Sequence, residues 1–445
     1  MHRKMIRKRN ILAASIALAY AAPALATNGH VLHGVGSINQ SMGGAGIATS
    51  IDAIGSNHNN VSSTSFMDQS SVEFGFELFI PDRSYSATAP TAFPGVSASG
   101  TVDSETRESP IPSMGIVYKT NSPWTLGFTA LGIGGFGVDY PGVNPATCPS
   151  CNPLAVPQSA GGFGSIYANY QLLQMTPSAS YQITPNWSVG AGVNIDWSSL
   201  AVNPFPATPP NASGYPDALH TATAWGWGFT LGTTYKPMPN LALGLSFKSP
   251  QWFQDFEWNS QYPDGTPTTF KFNLDYPMII GGGLSYKPIP EWTLAADVKW
   301  INYSNTDGFE KKNFAVVNGA PVVQGFGWED IWTVSLGTQY MASPRLALRA
   351  GYNYGQNPIK GDQQFFNVFA PAIVQHHVSL GAGYQLTKNL ALNAAFYHVF
   401  ENEESGPIIS SGAPGFPPMN TAVPGSNVTN KLSEDSVSMQ MQFKF

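Results

Sequence analysis

The chain has 445 residues, of which only 11% are charged, while 12% are aromatic and 45 are glycine. Soluble domains carry about 25% charge, and a surface this poor in charge suits a barrel whose outer wall is covered by lipid. Five of the 21 basic residues and none of the 27 acidic ones lie in the first nine positions, which leaves 16 against 27, a net of −11. That balance excludes nucleic acid and anionic membrane surfaces as partners.

Residues 1–26 read as a signal peptide. Arg3, Lys4, Arg7, Lys8 and Arg9 form a basic leader, Ile11 to Ala22 an apolar run, and Ala24-Leu25-Ala26 a small-residue cleavage site. Thr27 is the expected mature N-terminus. The run is too short to span a membrane, and no later stretch offers 18 consecutive apolar residues.

Residues 27–65 hold no alternating segment, but they hold HGVGS and SMGGAGIATS. They form either a periplasmic tail or a plug inside a barrel. Gly43, Gly44 and Gly46 favour the plug, because small residues let backbone pack closely in a confined lumen.

From residue 66 onward, alternation and turn signals predict fourteen strands, near 70–80, 111–120, 123–136, 169–183, 187–199, 222–236, 241–249, 269–287, 292–303, 329–341, 345–355, 376–387, 390–400 and 434–445. Six tight turns, such as Asn121-Ser122 and Lys388-Asn389, alternate with seven long loops rich in Gly, Pro and Asn. This is the layout of an outer-membrane barrel, with tight turns in the periplasm and long loops outside. In 187–197 the outward set is Trp187, Val189, Ala191, Val193, Ile195 and Trp197, aromatic at both ends, where indole rings meet the headgroups. The last ten residues, SVSMQMQFKF, alternate strictly and end on Phe445. The expected fold is therefore all-β: a 14-stranded antiparallel transmembrane β-barrel, residues 66–445, with an N-terminal plug. Cys148 and Cys151, in TCPSCNP, read as a small disulfide that stiffens a loop.

Several segments resemble the FadL-type (OmpP1/FadL/TodX) family of outer-membrane transporters of long-chain fatty acids and hydrocarbons. They are TNGHVLHGVGSINQSMGGAGIATSIDA at the expected mature N-terminus, WTLAADVKWINYS (292–304), GFGWEDIWTVSLG (325–337), RLALRAGYNYGQNPI (345–359) and FFNVFAPAIVQHHVSLGAGY (365–384). The resemblance implies a monomeric barrel plugged by an N-terminal hatch, with ligand captured outside and released through a gap in the wall. Asn28-Gly29 and Asn59 match the family pattern. Asn60, Val61 and Ser62 stand where the family has Pro, Ala and Gly, and without proline the junction is expected to be less constrained.

A carrier for amphipathic acids needs an apolar sleeve and a cation. Parity places Lys248, Lys271, Lys299 and Arg349 inward. Lys299 shares its face with Asp297, which predicts a lumenal ion pair. Arg349 has no acid at i±2 and is the better carboxylate candidate, beside Lys248 and Lys299. The loop 250–268 carries Trp252, Phe253, Phe256 and Trp258, read as an exposed aromatic capture cluster, and the facing loop offers Phe205 and Tyr215. His30, His33 and His58 read as hydrogen-bonding fillers, and nothing suggests catalysis, a cofactor or a metal. The expected function is uptake of hydrophobic compounds, foremost long-chain fatty acids, through the outer membrane. Aromatic or aliphatic hydrocarbons are the alternative, and a general porin or adhesin-type barrel the second. The expected partners are the hydrophobic small molecule, outer-membrane lipid and the barrel-assembly machinery.

Overall fold

Alternation of apolar and polar residues makes each strand two-faced, and fourteen such strands form one antiparallel sheet closed on itself. A computed structural model describes residues 28–91, 97–106, 108–148, 151–413 and 417–445. The leader and Thr27 lie outside the described residues. The barrel strands are β1 Ser71–Pro90, β2 Ser109–Lys119, β3 Trp124–Tyr140, β4 Ile166–Thr184, β5 Trp187–Asn203, β6 Ala218–Met238 and β7 Leu241–Lys248. They continue as β8 Met278–Ile289, β9 Trp292–Asn302, β10 Ile331–Ser343, β11 Leu346–Gly355, β12 His376–Gln385, β13 Leu390–Gly406 and β14 Asn427–Lys444. Each strand pairs with its sequence neighbours. β1 closes the ring by pairing with β14 from Ser71↔Lys444 to Thr88↔Asn427 and with β2 from Ser71↔Val117 to Phe79↔Ser109.

The apolar face is the outer one. Along β14, Val437, Met439, Met441 and Phe443 are exposed while Ser436, Ser438, Gln440 and Gln442 are buried. Trp187, Trp292, Trp332 and Tyr340 are likewise exposed on the wall. No helix among the described residues is long and apolar enough to cross a membrane.

Two sequence expectations need correction. The predicted strand 269–287 is two elements. Pro267–Phe272 pairs with Phe256–Gln261 as a hairpin in the outer loop, and only Met278–Ile289 belongs to the wall. Asn273 to Pro277 break the ladder between them, so parity carried across the break misplaces Lys271. Several strands also outrun their predicted ends: β1 reaches Pro90, β13 reaches Gly406, and β14 starts at Asn427. Above the membrane the outward face of these ladders turns polar, as at Ser84, Ser86, Thr429 and Lys431, while Tyr85, Ala87, Val428 and Leu432 turn inward, so the alternation persists with its apolar face reversed.

Residues 28–66 lie inside the barrel. They form α1 (Gly36–Gln40), α2 (Ala53–Asn59) and a 3-10 turn (Val61–Phe66), and nearly all are buried. Lumen-facing glycines of the wall seat this hatch. A Cβ on Gly351 would lie 2.0 Å from the Gly43 amide, and one on Gly244 would lie 2.5 Å from the Ile47 carbonyl oxygen. Gly43 and Gly44 themselves sit at φ +64° and +80°, a conformation open chiefly to glycine.

Candidate functional site: the outer cavity and the hatch beneath it

The long outer loops fold over the barrel mouth and bring apolar residues together. Phe205 stacks on Phe270 at 4.8 Å, approaches Trp258 at 5.2 Å and meets Phe272 at 5.8 Å, and Phe256 lies 5.8 Å from Trp258. A cavity of about 50 Å³ opens beside this cluster, lined by apolar residues that include Phe136, Leu200, Phe205, Phe326, Phe366 and Phe369. The 3-10 turn Gly361–Asn367 supplies part of its wall. Sequence reasoning missed Phe136, Phe326, Phe366 and Phe369. The apolar run FFNVF within a loop was the available signal.

The capture cluster is not the exposed one expected. Phe205, Phe256 and Trp258 are buried. Trp252 points outward, 40% exposed, and packs on the wall residue Trp227 at 5.0 Å. Phe253 is buried against Gly226. Tyr215 sits in the loop roof, where its hydroxyl donates to the Pro321 carbonyl. Cys148 and Cys151 form a disulfide in the loop after β3.

The cations are placed differently from one another. Lys271 is exposed and pairs with Glu257 across the outer hairpin, so it does not face the lumen. Lys248, Lys299 and Arg349 do face inward, and each is engaged by protein. Lys248 donates to Gln174 at 2.9 Å, and Gln174 donates on to Asp196 at 2.8 Å. Arg349 donates to Gln339 at 2.7 Å and to Asn393 at 3.0 Å. It lies three residues above the start of β11, near the tight-turn end of the barrel and far from the cavity.

The expected ion pair between Lys299 and Asp297 gives way to hatch contacts. Asp297 accepts the amides of Gly46 at 2.6 Å and Ile47 at 2.9 Å, while Lys299 donates to Asn59 at 2.7 Å. Glu73 on β1 accepts the Ala53 and Ile54 amides at the start of α2, where Asp52 caps the Gly55 amide at 2.7 Å. Carboxylates at these orphan helix amides are favourable. At the hatch N-terminus, Asn28 and Gly29 form a tight turn closed by the Asn28 amide on the Val31 carbonyl. His30 and His33 are not hydrogen-bonding fillers, because none of their ring nitrogens has a partner. Among the described residues no group of three or more His, Cys, Asp or Glu is arranged to hold a metal.

A family profile described as outer membrane protein transport protein (OMPP1/FadL/TodX) matches residues 14–408. The chain belongs to this family. Solved structures share its fold. The Pseudomonas putida toluene transporter TodX is 19% identical at a TM-score of 0.68, with 93% of this chain and 99% of that one covered. A FadL homologue of Pseudomonas aeruginosa is 17% identical at 0.70, covering 94% and 100%. The Ralstonia pickettii toluene transporter TbuX is 17% identical at 0.66, covering 93% and 99%. No curated protein matches the sequence. The OmpP1/FadL/TodX family consists of outer-membrane transport proteins for hydrophobic compounds and not of enzymes.

Two features of this family member stand out against the expectations above. Asn60, expected to leave the junction less constrained, is tied into it by its side chain. Its side-chain amide donates to the Ile47 and Thr233 carbonyls at 2.8 and 3.2 Å, and its oxygen accepts the Ser62 amide at 3.1 Å. Side-chain bonds supply the restraint that a proline ring would give. The second feature is a notch in the wall. β2 pairs with β3 only from Ser113↔Leu131 toward the tight turn, and β3 bulges between Gly132 and Gly134. Hatch backbone fills the space above: the Leu32 amide donates to Ile133, and the Gly135 amide donates to His30. A small cavity of about 10 Å³ remains there, lined by Leu32, Val35, Ile111, Gly132 and the wall residue Phe76, which is 46% exposed.

Proposed function

We propose that the protein takes uncharged hydrophobic molecules from outside into the aromatic cavity, past the hatch, and out through the β2–β3 notch into the outer membrane. One observation carries this reading. The notch in the wall is sealed by residues 30–35 of the hatch and not by a barrel strand, so a shift of the hatch alone would open a sideways path. The cavity lining is almost wholly apolar and has no cation among its residues, which favours hydrocarbons over carboxylates. A sheet closed on itself leaves no open edge for strand pairing with a second copy, in keeping with a monomer, and the exposed apolar wall supports lipid as its solvent.

A long-chain fatty acid is the second reading. It is favoured by Arg349, a lumenal cation whose hydrogen-bond partners Gln339 and Asn393 are neutral amides and whose one charged neighbour among the described residues, Asp52 of the hatch, makes no ion pair with it. Uptake by proteoliposomes separates the two. A labelled aromatic hydrocarbon is expected to enter faster than into protein-free vesicles and to quench a bilayer-embedded fluorophore before a lumenal one. Faster uptake of a fatty acid alone would favour the second reading, and lumenal quenching first would refute the sideways exit.

A further inference from the structure

His30 sits at the hatch tip in a cage of rings. Phe309 stacks on it at 4.7 Å, Tyr276 meets it edge-on at 5.2 Å, Tyr303 lies at 5.6 Å and Tyr170 at 6.0 Å. The cage is the next layer inward from the cavity: Phe136 contacts Tyr170 at 5.1 Å, and Phe326 stacks on Phe309 at 5.5 Å. Some polar groups of the cage are satisfied. Tyr303 accepts the His30 amide at 3.1 Å and donates to the Asn28 carbonyl at 2.7 Å, and the Trp328 indole donates to Asn367 at 2.6 Å.

Four polar atoms are not satisfied. Both ring nitrogens of His30 and the hydroxyls of Tyr170 and Tyr276 are buried with no hydrogen-bond partner. An unpaired buried polar atom is costly, so four on one histidine and the rings packed around it call for a hydrogen-bonding partner. The chemistry of the four atoms selects the guest. A neutral imidazole offers one donor and one acceptor, and each phenol can do either, so the matching group both donates and accepts. Charge selects further. Asp196 lies within electrostatic range of both tyrosines and Asp275 of Tyr170, Lys248 offsets Asp196, and no cation is among the cage residues, so nothing there favours an anionic head.

We propose that His30, Tyr170 and Tyr276 form a receptor for a single uncharged hydroxyl on an otherwise apolar molecule, a phenol or an alcohol. The assignment rests on the transport reading above and narrows its substrate class.

The test compares 4-ethylphenol with ethylbenzene, which share a skeleton and differ by one hydroxyl. Binding is read by tryptophan fluorescence of the full chain in lipid nanodiscs, with strand content checked by circular dichroism. The protein is expected to bind the phenol at least tenfold more tightly. His30→Phe keeps the ring stack and is expected to abolish that preference by weakening binding of the phenol to the level of ethylbenzene. Tyr276→Phe removes one oxygen without disturbing the hatch and is expected to reduce the preference, which keeps the test decisive if His30→Phe does not fold. Equal binding of the two compounds, or a preference that survives both substitutions, would show that the cage holds only water. In that case the transport reading stands on its ethylbenzene binding. Failure to bind either compound overturns both.

Discussion

Lys299 donates to Asn59 at 2.7 Å, joining the barrel wall to the end of the hatch helix. Asp297, two residues earlier on the same strand face, holds the hatch loop by the amides of Gly46 and Ile47. Two lumenal charges that could have neutralised one another are instead spread over two anchor points. A hatch held this way moves only if these bonds break.

Hydrogen bonds to a charged group are worth about 1.5–3 kcal/mol, so Lys299→Met should make hatch opening at least tenfold more frequent. Single-channel recording in planar bilayers would show this as more frequent conductance bursts. A trace indistinguishable from the parent protein would mean that Lys299 does not restrain the hatch.

A proline at position 60 of the hatch–barrel junction should damage this protein. Asn60 has φ −161°, far from the value near −65° that the ring imposes, and its amide donates to Ser56 at 3.0 Å. Asn60→Pro should therefore destabilise more than Asn60→Ala, which loses only the side-chain bonds at a cost of about 1–3 kcal/mol. Protease sensitivity of the hatch would rank the two variants, and an Asn60→Pro protein as resistant as the parent would contradict the assignment.

Aromatic residues at the mouth divide into two groups. Phe205 and Phe369 line the cavity, whereas Trp252 faces outward against Trp227. Burying an aromatic side chain contributes about 1.5–3 kcal/mol, so Phe369→Ala should weaken hydrocarbon binding about tenfold or more. Trp252→Ala should leave it unchanged. Equilibrium binding of ethylbenzene measures both, and a larger loss from Trp252→Ala would move the capture site to the outer wall.

Closure of the outer loop should depend on pH. Burial pushes the Asp275 carboxyl up to about 6, and the nearby Asp307, Glu310 and Asp255 add to this, against the Phe253 amide that it accepts at 2.8 Å. A carboxyl raised in the closed loop stabilises that state fully below its ordinary value near 3.8, and this stability is lost as pH rises through about 6. Hydrogen exchange at Phe253, corrected for intrinsic rate, should therefore rise between pH 4 and pH 7. Asp275→Asn should flatten the profile, and an equally steep profile in that variant would assign the effect to another group.

The wall was legible in the sequence because its physics is local. Each strand must show lipid one face, and period-two alternation records that in Val437, Met439, Met441 and Phe443 without reference to any partner. The same reasoning placed Lys248, Lys299 and Arg349 inward, and it failed for Lys271, where the ladder breaks between residues 272 and 278 and parity no longer carries across. What each inward side chain meets was decided only by the tertiary structure. Lys299 finds Asn59 across 240 positions, Tyr303 finds the Asn28 carbonyl across 275, and His30 finds Tyr170, Tyr276 and Phe309 from three separate stretches of chain. Lumenal contacts are made by chain packed against chain in three dimensions, and no periodicity along one strand encodes which segment arrives opposite it.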